Sequence, residues 1–188
     1  MSTTVALKKI VVIGPESTGK STLCGYLADY YKTLWCPEFA REYLLENGTS
    51  YTANDLITIA KGQLAAEKKH IDALQSQIEQ TGIIKPLIID TDMYVMKVWA
   101  EYVFGTCPTF ILDEINKRHY DLYLLCKPDI PWVKDALREY PDEKPRQELF
   151  QMYKDILINQ QTPWIEISGG FEARNQKAVA AIDAVLAR

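Results

Sequence analysis

Gly14-Pro15-Glu16-Ser17-Thr18-Gly19-Lys20-Ser21 sets two glycines, a lysine and a hydroxyl at the spacing G-x-x-x-x-G-K-[ST]. The chemistry of that set is anion binding. Glycines let backbone N–H groups wrap closely around a phosphate. The first turn of a following helix points its free N–H groups and positive dipole end at the same place. Lys20 then reaches the β- and γ-phosphates of ATP, and the Ser21 hydroxyl is a ligand for Mg²⁺. The cradle comprises Gly14, Glu16, Ser17, Thr18, Gly19, Lys20, Ser21 and Thr22. Its context agrees: Lys8–Ile13 reads as a short buried strand, and a helix is expected from Lys20 to about Lys32.

A second set of reactive side chains falls where two later strands end. Glu38, Arg41 and Glu42 follow a short strand at Thr33–Cys36, and Asp90 and Asp92 follow a strand at Pro86–Ile89. Open α/β sheets bind ligands beyond the carboxyl ends of their strands. Carboxylates there can hold Mg²⁺ through its water shell, accept a proton from a substrate hydroxyl, or bond sugar hydroxyls. Ser21 with Asp90 is the candidate metal set. Glu38 and Asp90 are both candidates for the base. Structural roles compete: Glu38 and Glu42 suit a helix start, Asp90 suits a helix cap before Thr91, and Arg41 suits a solvated helix face.

Lys127–Pro145 is rich in proline and charge and lacks periodicity. It fits a lid over the phosphates, reaching about residue 146, with Arg138 and Arg146 bringing positive charge to transferring oxygens. Trp132 in that segment either anchors the lid or stacks on a flat substrate ring. Gly169-Gly170 offers a backbone niche near the nucleotide base, where Arg174 either stacks on the base or starts the last helix.

The elements that must position these groups are five short apolar strands alternating with helices, ending with Asp121–Cys126 and Trp164–Ile167. That pattern gives a parallel sheet covered on both faces. Thr52–Gln80 is the longest helical stretch, with Thr52 or Asn54 as its cap and Gly82 as its stop. Later helices are expected at Arg146–Asn159 and Arg174–Leu186. No repeat or linker interrupts the 188 residues, so a single domain over 1–188 is expected, with its lid at about 127–146.

Composition narrows the class. A formal net charge of -4 does not favour a nucleic-acid or membrane-surface binder. No apolar run approaches the ~20 residues of a membrane helix, and Met1–Thr4 does not open a signal peptide. Cys24, Cys36, Cys107 and Cys126 form no C-x-x-C pair, which reads as reduced thiols in a cytosolic protein. A GTPase would need D-x-x-G and N-K-x-D, and Asn116-Lys117 runs instead into Arg118-His119. Motor and AAA-type ATPases usually have longer chains with sensor subdomains. The size fits a small-molecule kinase.

GPESTGKSTL (14–23), PEFARE (37–42), IAKGQ (59–63) with Glu67, DTD (90–92), YDLYLLCKPDIPWVKDALR (120–138), Arg146 and ISGGFEAR (167–174) together resemble the kinase domain of NadR-type NAD-salvage proteins. The resemblance runs from about Lys8 to the C-terminus. It implies a P-loop fold with strand order 2-3-1-4-5, and phosphorylation of the 5′-hydroxyl of nicotinamide riboside by MgATP. It implies that Glu38, Asp90 and Asp92 face sugar and metal, that Trp132 and Asp135 shape the nicotinamide pocket, and that Arg138 belongs to the lid. The helix-turn-helix and adenylyltransferase parts of longer family members have no counterpart here, so neither DNA binding nor dinucleotide synthesis is expected. Two other readings stay open. One is another nucleoside or deoxynucleoside kinase, with Glu38 and Arg41 as an acidic substrate clamp. The other is a nucleotide-dependent binding module that recruits a partner through the long helix.

Overall fold

Ile10, Val11, Val12 and Ile13 are all fully buried. Consecutive strand residues face opposite sides, so a run buried throughout requires cover on both faces of its sheet. The computed structural model, which describes residues 7–187, shows that cover. The expectation made for Met1–Thr4 lies outside the described residues. In chain order the elements are β1 (Lys8–Ile13), α1 (Lys20–Tyr31), β2 (Trp35–Cys36), α2 (Phe39–Asn47), α3 (Ala53–Thr81), β3 (Pro86–Asp90), α4 (Met93–Phe104), α5 (Thr109–Lys117), β4 (Leu122–Cys126), α6 (Glu143–Ile158), β5 (Trp164–Ile167) and α7 (Phe171–Leu186).

The five strands form one parallel sheet in the order β2-β3-β1-β4-β5, the order the resemblance implies. Ile10 and Val12 pack with α1 and α7 through Leu23, Leu27 and Ile182. Val11 and Ile13 pack on the other face with Leu74 of α3, Val98 of α4 and Tyr153 of α6. A third cluster joins α2 to α5 through Leu44, Leu56, Ile59, Met96 and Ile111. With β1 central, the loops after β1, β2 and β3 lie side by side at one end of the sheet.

Local chemistry sets the boundaries. Thr52 starts α3 with a capping box closed by Asp55, and Gly82 ends it at φ 69. β2 is shorter than the expected Thr33–Cys36, because the Thr33 amide closes α1 on Ala28 O at 2.9 Å and so is lost to the sheet. α6 begins at Glu143 rather than Arg146. Pro145 is its third residue, where an intrahelical N–H bond is not needed. α7 likewise begins at Phe171 rather than Arg174, with Gly170 at its N-cap.

Gly14 closes β1 at φ 142, and a Cβ there would stand 2.6 Å from Cys126 O of β4. Gly14→Ala is therefore expected to cost roughly 2–3 kcal/mol of stability, read from urea unfolding. A wild-type midpoint would show that the loop does not depend on this close approach.

Candidate active site

The loop between β1 and α1 carries two further positive φ angles, 55 at Ser17 and 76 at Gly19. Gly19 accommodates that angle without strain, and the loop folds back as a concave ring of backbone ahead of α1. Thr18 Oγ1 braces the ring by donating to Pro15 O at 2.8 Å, and Lys20 Nζ lies across it, donating to the same carbonyl at 2.9 Å. Ser21 Oγ donates to Asp90 Oδ2 at 2.6 Å, which joins the first turn of α1 to the end of β3.

Asp90 is fully buried, and its Oδ1 has no hydrogen-bond partner. Burial, reinforced by the charge of Glu38, pushes its carboxyl up to about 6. Glu38 occupies the N-cap position of α2 but makes no capping bond. Its Oε1 instead accepts from Thr91 Oγ1 at 3.4 Å. Glu38 therefore stands at the helix start, as one of its two expected roles has it, with its carboxylate turned to Thr91 rather than to the α2 amides. The helix-cap role considered for Asp90 belongs to Asp92, whose Oδ1 accepts from Tyr94 N at 3.0 Å.

These groups open into one cavity of about 540 Å³. Its walls include the whole loop from Gly14 to Thr22, then Glu38 and Arg41, Asp90, and Asp135 and Arg138 from the irregular segment 127–142. Arg41 and Asp135 form a two-pronged pair at 3.1 and 2.9 Å, which holds the Asp135 carboxyl below the usual range. Arg41 thus links α2 to segment 127–142 while its side chain stays exposed to solvent, as the helix-face reading of it expected.

Five residues expected at the site do not line this cavity. Asp92 is buried, capping α4 and accepting from Tyr123 OH at 2.8 Å. Trp132 donates its Nε1 to Glu16 at 3.1 Å, which matches the anchoring reading of that ring. Gly170 stands at the N-cap of α7. Arg174 is buried, and its guanidinium is bound to Gly169 O, Thr18 O, Lys127 O and Asp129. A guanidinium so occupied ties three loops together and is not offered to a base. Arg146 is buried on α6 and also lies away from the cavity wall.

Glu16 lies in the phosphate loop, yet its carboxylate turns to segment 127–142. It accepts from Trp132 Nε1 at 3.1 Å and from the Glu139 and Tyr140 amides, both at 2.8 Å. Ser17 Oγ adds a bond from Val133 N at 3.0 Å. Hydrogen bonds to a charged group contribute about 1.5–3 kcal/mol each. Glu16→Ala should therefore release this segment and speed trypsin cleavage at Lys134 and Arg138 at least about tenfold. Unchanged cleavage would mean that other contacts hold it.

The aromatic part of the wall was not anticipated. Trp35, Trp99, Tyr102, Tyr140 and Tyr153 line it. Tyr102 meets Tyr140 edge-on at 5.5 Å, and Trp99 Nε1 donates to Tyr51 OH at 2.9 Å. A signal was present: Val95, Trp99 and Tyr102 recur at i, i+4 and i+7 on one face of α4. Among the described residues, no group of three or more His, Cys, Asp or Glu side chains could hold a metal ion, and no helix is long and apolar enough to cross a membrane.

The parallel sheet and its glycine-wrapped loop define a P-loop nucleotide-binding protein. A family described as "AAA domain" matches residues 9–174, and the chain belongs to that family. The match covers the phosphate loop and reaches into all five strands. The chain is 25% identical over 165 residues to the Trifunctional NAD biosynthesis/regulator protein NadR of Escherichia coli (strain K12), covering 86% of this chain and 38% of that protein. It thus spans well under half of that relative's length. A crystal structure of NadR protein in complex with NR superposes with a TM-score of 0.76 at 22% identity, over 95% of this chain and 49% of the other. Thymidylate kinase from Ehrlichia chaffeensis superposes with a TM-score of 0.61 at 14% identity, over 95% and 99% of the two chains.

Proposed function

We propose that this chain is an ATP-dependent small-molecule kinase that phosphorylates the 5′-hydroxyl of nicotinamide riboside, giving nicotinamide mononucleotide in NAD salvage. The observation that carries the reading is the acceptor side of the cavity, which is both acidic and aromatic. Among the cavity's lining residues are the carboxylates of Glu38, Asp90 and Asp135 and the rings of Trp35, Trp99, Tyr102, Tyr140 and Tyr153, with Lys20, Arg41 and Arg138 as its cations. Arg41 is paired with Asp135, and Lys20 and Arg138 serve the ATP phosphates in this reading, which leaves the acceptor side without a free cation among the described residues. A monophosphate acceptor would need free cations there. A nucleoside carrying a positively charged ring instead finds carboxylates and aromatic faces, which attract it. The NadR relative supports the same substrate class.

In this reading segment 127–142 is the lid of a single kinase domain. The phosphate loop and Lys20 hold the triphosphate. Ser21 and Asp90 would hold Mg²⁺, for which the unpartnered Asp90 Oδ1 is a ready donor. When bound, the ion neutralises charge on the β- and γ-phosphates. That assignment leaves Glu38, uncapped and half-buried at the cavity wall, to orient the acceptor hydroxyl and take its proton. Arg138, on the lid side, faces the charge that develops on the transferring oxygens. Catalysis is then mainly positioning and electrostatics. Four free thiols fit a cytosolic setting.

The pairing of Arg41 with Asp135 beside Glu38 also suits a deoxynucleoside clamp, which keeps a second nucleoside kinase reading in view. The binding-module reading loses its motive. The long helix α3 buries Leu56, Ile59, Leu74 and Ile78 against the rest of the chain, so core packing accounts for its length. A panel of acceptors at saturating MgATP tests the class: nicotinamide riboside, deoxyadenosine, thymidine and thymidylate. Turnover with nucleosides and none with thymidylate is expected. Preferred turnover of the monophosphate would overturn the reading.

A further inference from the structure

The IAKGQ segment, residues 59–63, turns its last side chain away from the cavity and into the interior. It lies in α3, and its last residue, Gln63, is buried to 1% exposure among the loops that carry Glu38 and Asp90. Gln63 Oε1 accepts from Phe39 N, the residue after Glu38, at 2.8 Å. Gln63 Nε2 donates to Thr91 O at 3.1 Å and, more distantly, to Asp90 O at 3.4 Å. One amide therefore bridges the start of α2 to the end of β3, the two points from which the candidate base and the metal-side carboxylate project.

Two neighbouring features show that this bridge is built to close tolerance. Thr91 holds φ 78, a conformation that threonine rarely adopts. Strained backbone of that kind persists where surrounding bonds over-determine it. The Thr91 amide donates to Val12 O at 3.2 Å, so the residue is pinned between β1 and Gln63. Beside Gln63, a Cβ at Gly62 would stand 2.0 Å from the Phe39 ring. Only glycine lets α3 approach α2 closely enough for the Gln63 amide to reach both loops.

We infer that Gln63 is a positioning residue for phosphoryl transfer, fixing Glu38 relative to Asp90 through the Phe39 amide and the Thr91 carbonyl. It is not among the residues that line the cavity. Its removal leaves the phosphate loop intact and lets the two carboxylates drift apart. A displacement of about 1 Å at such a site costs on the order of a hundredfold in rate. The effect falls on kcat, because ground-state binding of ATP depends on Gly14–Ser21, which Gln63 does not contact.

The inference rests on the kinase reading, and the test separates the two. Wild type, Gln63→Met and Gln63→Asn are compared for kcat and for the KM of ATP. Rates are normalised to the nucleotide-binding sites counted with a fluorescent ATP analogue. Methionine keeps the length without the bonds, and asparagine keeps the amide but is one methylene too short to bridge. The expected result is kcat per site lower by about ten- to a hundredfold in both, with the KM for ATP within about twofold of wild type. A kcat per site that stays near wild type in either variant overturns the inference. So does loss of nucleotide binding in both, which would make Gln63 a core residue only. If wild type phosphorylates no acceptor, the kinase reading fails by itself. The same comparison then runs on intrinsic ATP hydrolysis, which draws on the same Asp90.

Discussion

Lys20→Ala is expected to lower turnover by about a thousandfold or more while leaving the fold intact. Transferring phosphoryl oxygens gain most from a fixed charge in a site that excludes water, and loss of one such group costs on the order of 10²–10³ in rate or more. Lys20 lies along the loop it serves and makes a single bond, to Pro15 O at 2.9 Å. Its loss therefore removes little from the core, and the far-ultraviolet spectrum and melting temperature should stay close to wild type. Substantial residual turnover would place the phosphate contact elsewhere in the cavity. Loss of the folded state would mean that Lys20 holds the loop together rather than the nucleotide.

Asp90→Asn is the second large effect, and it moves rate and stability in opposite directions. The rate is expected to fall about a hundredfold or more, with the KM for ATP changed by no more than about threefold. Stability is expected to hold or rise. Burial and Glu38 raise the Asp90 carboxyl from 3.8 to about 6, so the folded chain holds this proton more tightly than the unfolded one. Stability contributed by such a group is present at low pH, declines as pH rises between about 4 and 6, and leaves a constant cost above that range. Asparagine removes the charge and that cost. In metal-free protein, the melting temperature of the variant should match or exceed wild type at pH 8, with the difference shrinking towards pH 4. An unchanged rate would take Asp90 out of the catalytic set, and a lower melting temperature at pH 8 would show that its charge is compensated.

These expectations show which parts of the site could be read from residue types alone. The phosphate loop was legible because its chemistry is local: glycines, lysine and serine at fixed spacing, between a buried strand and a helix. The ends of α3 were legible for the same reason, since Thr52 and Gly82 act on their own neighbours. The meeting of Ser21 with Asp90 follows from sheet order, which the family resemblance supplied. Interactions between distant loops were not legible. Arg174 reads as a helix start or a base-stacking group, and its actual role needs Thr18, Lys127 and Asp129 in one place. Glu16 reads as part of the cradle, and its carboxylate serves residues more than a hundred positions away. Asp92, two residues from Asp90, turns away to Tyr123 and the first amides of α4, and its residue type alone does not say so. The aromatic wall was half legible: the helical spacing of Trp99 and Tyr102 marks a face of α4, but nothing local says that a cavity lies in front of it.

Acidic and aromatic lining makes the identity of the acceptor the central claim. It is tested most directly by ADP release from purified protein with MgATP, with and without nicotinamide riboside. A strong riboside-dependent rise, lost in Lys20→Ala and Glu38→Gln, is the predicted result. A rate that does not respond to the riboside, while other nucleosides or thymidylate raise it, would contradict the assignment.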